Sequence, residues 1–510
     1  MELEKTNINS NGVVLEPTEL THRNPKSPQD GPRDKNEYDN VIIEPTKVNL
    51  KKRIGLLGGI GFAIGNIIGS GIFIAPTGVA EGGGSVGLSL IMWSVCGVIA
   101  VLASLSVVEL GTLIPKSGGA YPYLYRGIGP PVAYLYSWTQ TLMIKTSAMA
   151  ILALTAAEYL ILLIIDDDCG TPHSSVNKIC AVALLLLFSF FNIAHISFAA
   201  RMQIFFTSCK VLSLSIIIIG GLVKIGQGET KNFENAFEGT NNNVGQIAIG
   251  LYYGMWAYDG WDNVTYITEE IINPSRNLPL SAIIGILVTS VLFVLTNLSY
   301  FVVMTPAELL ASPAVVITWA EGVMPSVMWL PSIFVMMSTL GALNGNLYAC
   351  SRIPFAASRK GHMMEVMSMV QAKKFSPLPA ICLTTLFTLI LIIIGNTSSL
   401  VDFFSFAVWT FYGLTMACVI ILRFTMKDVP RPFKVPIICP IIVLLTSLYL
   451  IVAPIIDEPR FEYLFAFCFI MFGLVLYFPF VHFKWKIPGI DKFTEILQLL
   501  FELAPSGDED

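Results

Sequence analysis

The fold turns on the stretch Gly61-Phe62-Ala63-Ile64-Gly65-Asn66-Ile67-Ile68-Gly69-Ser70-Gly71-Ile72-Phe73. It sits inside an apolar segment running from 54 to 80, and a bilayer core takes roughly 20 apolar residues per helix. Gly61, Gly65 and Gly69 have the small-xxx-small spacing that lets two helices pack closely. The Gly69-Ser70-Gly71 triplet goes beyond what packing needs. Each Gly weakens a helix by about 1 kcal/mol relative to Ala. The triplet allows the helix to unwind locally at mid-span and leave amides and carbonyls free, an expectation that rests on the matching break described next.

A second stretch answers the first. Trp256-Ala257-Tyr258-Asp259-Gly260-Trp261-Asp262-Asn263 lies within another apolar segment. A carboxylate there is expensive, roughly 2.5–3.5 kcal/mol on insertion scales, and Gly260 beside it permits a break. Working outward along the chain gives twelve spans: 54–80, 86–112, 127–160, 177–197, 202–226, 244–269, 279–304, 314–356, 378–395, 400–423, 436–456 and 461–483. The third is long enough to tilt or extend, and the eighth has room for a short external helix near Pro313–Pro325. Spans 1 and 6 run in opposite directions, five spans apart. Breaks at matching places in two opposed halves point to an inverted-repeat transporter. The expected fold class is an all-α membrane protein with twelve transmembrane helices in a 5+5 inverted repeat, helices 1 and 6 broken.

Composition agrees. Of 510 residues, 54% are apolar and only 13% charged, with a mean hydropathy of +0.67. Soluble domains average about 45–50% apolar and about 25% charged, so the composition excludes a disordered chain and argues against a single large soluble domain. The net charge of −5 offers no basic surface for nucleic acid. Nine cysteines are too few for a disulfide scaffold. Residues 1–50 are polar and read as a disordered N-terminal tail. No signal-peptide pattern begins the chain, so the first span is expected to direct insertion. The spans fill a transporter domain at 51–485. Residues 486–510 are expected to form a C-terminal tail, with an amphipathic helix over 490–503 lying on the protein or the bilayer. Of 31 basic residues, 25 fall on the side of the N-terminus and four on the opposite side, with Lys145 and Lys210 inside spans. The positive-inside rule then places both termini in the cytoplasm.

Three segments carry a family resemblance: Gly69-Ser70-Gly71-Ile72-Phe73; Glu109-Leu110-Gly111 with Ser117-Gly118-Gly119-Ala120-Tyr121-Pro122; and Thr268-Glu269-Glu270 through Asn273-Pro274 and Asn277-Leu278-Pro279. Together they resemble the amino acid–polyamine–organocation superfamily, and within it the light subunits of heteromeric amino acid transporters. Trp256-Ala257-Tyr258-Asp259-Gly260-Trp261 looks most like the b(0,+)-type branch, which exchanges cationic amino acids and cystine for neutral ones. The resemblance covers roughly 54–485. It implies that amides around Ile67, Ile68, Gly69, Ser70 and Gly71 receive the substrate carboxylate. The substrate ammonium would meet carbonyls of the same break and of span 6, and Trp256 would close over the substrate from outside. Asn66 stands where relatives commonly have Thr. Asp259 would pair with the cationic side chain of a substrate. From the residues alone, Lys145 or Lys210 could instead pair with it.

Lys210 lies midway along span 5, too deep to snorkel easily. It is either a structural ammonium, ion-paired or carbonyl-bonded, or, as the resemblance implies, a fixed cation where sodium-coupled relatives hold the ion. No role is evident for Lys145. Cys169 falls in the external 3–4 loop, where it could be free or bonded to Cys180. The resemblance makes it the intermolecular disulfide to a single-pass type II glycoprotein heavy chain. No motif implies a metal or cofactor, and no nucleophile–base set suggests an enzyme. The expected function is sodium-independent amino acid antiport at the plasma membrane. The alternatives are a neutral-only or polyamine carrier, or an amino acid sensor that does not transport.

Overall fold

The computed structural model describes residue 52 and residues 54–164, 174–194, 196–312, 314–327, 329–372, 376–395, 397–457, 461–485 and 488–505. The expected tail at 1–50 and Cys169 lie outside them. Helices account for almost everything described. In chain order they are α1 (Leu56–Ile67), α2 (Gly71–Gly83), α3 (Val86–Leu113), α4 (Tyr121–Gly127), α5 (Pro130–Thr139), α6 (Lys145–Ile164), α7 (Ser174–Ala194), α8 (Ile196–Gly226), α9 (Val244–Ala257) and α10 (Pro274–Val303). Then follow α11 (Pro306–Ala311), α12 (Val315–Val323), α13 (Trp329–Cys350), α14 (Arg352–Arg359), α15 (Leu378–Ile394), α16 (Thr397–Thr425), α17 (Ile438–Asp457), α18 (Phe461–Leu476) and α19 (Ile490–Phe501).

Nine helical segments among the described residues are long and apolar enough to cross a membrane, or ten with α1 and α2 counted as one bent span. Two expected spans fall short. The sixth is α9, only 14 residues long before the chain leaves the helix, and the ninth is α15, with 17 residues. The third is continuous from Pro130 to Ile164, but a π-helical turn at Gln140–Ile144 joins α5 to α6. The external helix expected near Pro313–Pro325 is α12. One departure from an all-helical expectation is a two-stranded antiparallel ribbon, β1 (Met369–Gln371) with β2 (Leu503–Pro505), which ties the end of α19 to the loop before α15.

Many large apolar side chains on the rim are exposed, among them Ile204 at 70%, Ile393 at 63% and Phe465 at 64%. Polar side chains such as Ser104, Thr146, Lys210 and Thr289 are buried inside. Apolar outside and polar inside is the pattern of a bundle solvated by lipid. Aromatic packing fixes the depth of span 6. Tyr258 packs on Phe293 of α10 at 5.0 Å, Phe293 on Trp93 of α3 at 5.8 Å, and the Tyr258 hydroxyl donates to the Trp93 carbonyl at 3.2 Å.

The end of the bundle where Ile54 enters is closed by buried ion pairs. Glu109, on the last turn of α3, accepts from Arg423, from Arg431 at 3.0 Å and from the Val435 amide at 2.9 Å. Glu270 accepts from Arg352 at 3.1 Å and from the Tyr348 hydroxyl at 2.6 Å. Glu269 accepts from the Ser117 amide at 2.9 Å. Backbone bonds add to this: the Ile54 amide donates to the Glu270 carbonyl at 3.0 Å and the Ile272 amide to the Ile54 carbonyl at 2.9 Å. The acidic residues of the motif segments are therefore the acceptors that tie the ends of α3, α13 and α16 together. Nearby, His362 is boxed by Tyr121, Tyr125, Tyr134 and Tyr477. Burial lowers its pKa to about 4, so it stays neutral at pH 7.

Candidate functional site

Span 1 breaks where the Gly-Ser-Gly triplet predicts. α1 and α2 meet at 51°. Ile68 is extended at φ −73° and ψ 96°, its amide still reaching back to the Ile64 carbonyl. The Ser70 carbonyl accepts from Phe73 at 3.0 Å and from Ile74 at 3.1 Å. Gly71 and Ile72 occupy the first turn of α2, where amides have no acceptor within the helix. Ile67, Ile68 and Ser70 are all buried.

The carbonyls freed by the break are not all idle. Lys210 of α8 donates to the Gly65 carbonyl at 2.6 Å, and Ser338 of α13 donates to the Gly69 carbonyl at 3.0 Å. Lys210 is thus a carbonyl-bonded ammonium at the C-terminal end of α1, where the helix dipole is negative. Gly341 lets its stem pass, since a Cβ there would lie 2.8 Å from Lys210 Cε. Asn66 donates to the Phe62 carbonyl at 2.7 Å, leaving its Oδ1 without a partner.

Span 6 breaks alongside. α9 ends at Ala257, the Asp259 amide closes on the Trp256 carbonyl at 3.0 Å, and Gly260 takes φ +97° before a 3₁₀ segment over Asn263–Glu270. The two breaks touch through backbone. A Cβ on Gly71 would come within 2.4 Å of Ala257 Cα, and one on Gly260 within 3.0 Å of the Asn66 carbonyl oxygen. Gly71 is required by this approach, and Gly260 by both the approach and its left-handed φ. Trp256 sits on the last turn of α9, half-buried, where the two main apolar clusters of the bundle meet.

Charged side chains gather beyond the breaks. Asp259 is half-buried and accepts from the Tyr412 hydroxyl of α16 at 2.8 Å. Lys145, at the start of α6, is 1% exposed and faces both Asp259 and Asp262 electrostatically. It donates to Asn263 Oδ1 at 3.4 Å and lies 5.2 Å from the centre of the Tyr266 ring. Asp262 is 5% exposed, and its Oδ2 accepts from the Tyr266 hydroxyl at 2.9 Å. Lys145, rather than Lys210, is the ammonium that faces Asp259. Sequence reasoning gave no part to Asp262, Tyr266 or Tyr412. For Asp262 a signal existed: it is a second carboxylate three residues further along the same broken span.

The site therefore joins a helix N-terminus with free amides, a helix C-terminus with free carbonyls, and a carboxylate pair on one side. That arrangement complements a zwitterion with a further polar group. Among the described residues, no group of three or more His, Cys, Asp and Glu side chains could hold a metal ion. Cys180 is a free thiol.

Comparison with known proteins follows the same lines. The amino acid permease family matches residues 54–477. The b(0,+)-type amino acid transporter 1 of Mus musculus is 45% identical over 93% of this chain and 97% of its own length. The human cystine/glutamate transporter is 38% identical over 91% of this chain and 93% of its own. The rat large neutral amino acids transporter small subunit 2 is 38% identical over 89% of this chain and 85% of its own. With two helices broken at one point in a bundle that is apolar outside and polar within, the chain belongs to the amino acid permease family, a multi-pass membrane transporter and not an enzyme.

Proposed function

We propose that the protein is a sodium-independent antiporter that exchanges cationic amino acids, and cystine, for neutral amino acids by alternating access. The observation that carries the reading is the meeting of the span 1 break with the span 6 break, which carries Asp259. Amides of Gly71 and Ile72, with Ile67, Ile68, Gly69 and Ser70 shaping the turn, receive the substrate carboxylate. Free carbonyls of the same break receive its ammonium. Asp259 takes the distal cation, and Trp256 closes the outer side. The similarity to b(0,+)-type transporters supports the substrate class. The cystine/glutamate relative keeps cystine in view.

In this reading the protein lies in the plasma membrane with both termini cytoplasmic, as the basic residues favour. The paired acids at the Ile54 end then form the closed cytoplasmic face. The rat relative's name describes it as a small subunit, which supports a heavy-chain partner here, linked through Cys169. A neutral-only carrier is the rival, favoured by Lys145, which faces Asp259 and could neutralise it.

Asp259 decides between them. An ionic hydrogen bond contributes about 1.5–3 kcal/mol, or roughly 10- to 150-fold in affinity. In proteoliposomes preloaded with leucine, Asp259→Asn is expected to depress arginine and lysine uptake by that order and leucine uptake far less. Equal loss for arginine and leucine marks a structural carboxylate and removes the cationic assignment. The ammonium on the Gly65 carbonyl makes a soluble cation unnecessary. Replacing sodium by choline should leave arginine uptake unchanged, while Lys210→Ala impairs it; steep sodium dependence in the unaltered protein contradicts this. Co-expression with the heavy chain should give a large species on a non-reducing gel that collapses with reductant. That species should vanish in Cys169→Ser, and its persistence would assign the bond to another cysteine.

A further inference from the structure

We propose that Asp262 is a specificity-determining residue, the internal counter-ion of Lys145 that leaves Asp259 free for a substrate cation. The inference rests on the reading of Asp259 given above. Its starting point is a charge count. Asp259, Asp262 and Lys145 face one another at the break of span 6. The other titratable side chains around them are Tyr123, Tyr136, Tyr266, Tyr412 and Cys350, which carry no charge at neutral pH in their ordinary forms. In their ordinary ionised forms, two carboxylates and one ammonium leave one negative charge in excess.

Geometry shows that this excess has no fixed partner. Lys145 stands off both carboxylates: its hydrogen bond goes to Asn263, and among the described residues it closes an ion pair with neither. Asp259 is satisfied on one oxygen by a neutral phenol. Asp262 is likewise satisfied on Oδ2 by Tyr266, while its buried Oδ1 has no partner in another of the described residues. Buried charges elsewhere in the bundle are treated differently, with Glu109 drawing on two arginines and a backbone amide. A buried charge left uncompensated is unfavourable, and a monocationic side chain beside Asp259 brings the group to neutrality. With Asp262 absent, Lys145 alone would neutralise Asp259, and a substrate cation would have to displace a fixed ammonium. Asp262 thereby sets the preference for cationic over neutral substrates, although Asp259 is the group that touches the side chain.

The test uses the full-length protein in leucine-preloaded proteoliposomes and reads the ratio of arginine to leucine uptake. Asp262→Asn should lower the ratio by about 10-fold or more, the scale of one ionic hydrogen bond. Adding Lys145→Gln to it should restore the ratio, because Asp259 again has no fixed cation. A merely structural Asp262 would not be rescued by removing a second charge. An unchanged ratio in Asp262→Asn, or no recovery in the double variant while leucine uptake persists, overturns the proposal. Should Asp262→Asn fail to reach the membrane, Lys145→Gln alone decides: a ratio at or above that of the unaltered protein supports the counter-ion role, and a fall overturns it. A selective loss in Asp259→Asn with an unchanged ratio in Asp262→Asn sinks this inference and keeps the cationic reading. No arginine uptake by the unaltered protein sinks both.

Discussion

Two helices can be broken inside a lipid-solvated bundle only if their freed backbone groups find partners. In this protein the close backbone approach of Gly71 to Ala257 and of Gly260 to the Asn66 carbonyl sets the two breaks side by side. The breaks meet backbone to backbone, with no side chain between them. Lys210 and Ser338 reach in from α8 and α13 to take the carbonyls of Gly65 and Gly69. What is left over, the amides of the first turn of α2 and the carbonyls not so taken, is the part of the break that the proposed function gives to a substrate. Lys210 satisfies the Gly65 carbonyl, and in the proposed function it would also fill the place of a soluble cation.

The buried charges divide by how completely they are paired. At the Ile54 end, Glu109 and Glu270 are each held by arginine and by a further donor. Removing one partner of such a group is costly, about 3–5 kcal/mol, which suits a clamp joining distant helix ends. At the break, Asp259, Asp262 and Lys145 share phenols and an amide side chain, with no ion pair closed. Complete pairing suits structure that stays put, and incomplete pairing is what the proposed substrate cation would complete.

The sequence made the first break legible because its cause is local: glycines at 69 and 71 weaken the helix whatever surrounds it. Apolar runs likewise marked most spans, since lipid solvation acts residue by residue. The ninth span came out as a 17-residue helix because Pro377 and Gly395 bound it. The pairing of β1 with β2 was out of reach, joining segments more than 130 residues apart with three residues each. So was Tyr412, whose hydroxyl meets Asp259 across 153 residues of chain. Asp259 stood out as an intramembrane carboxylate, but whether Lys145 or Lys210 faced it depended on helix packing. Lys145 does so, while Lys210 is committed to Gly65.

Everything in the proposed function depends on the meeting point of the two breaks being where the substrate binds. A structure of the purified protein with arginine bound tests it most directly. The α-carboxylate is expected within hydrogen-bonding distance of the Gly71 and Ile72 amides, and the guanidinium against Asp259. Arginine bound elsewhere in the bundle, or at the break with its guanidinium turned away from Asp259, would contradict it.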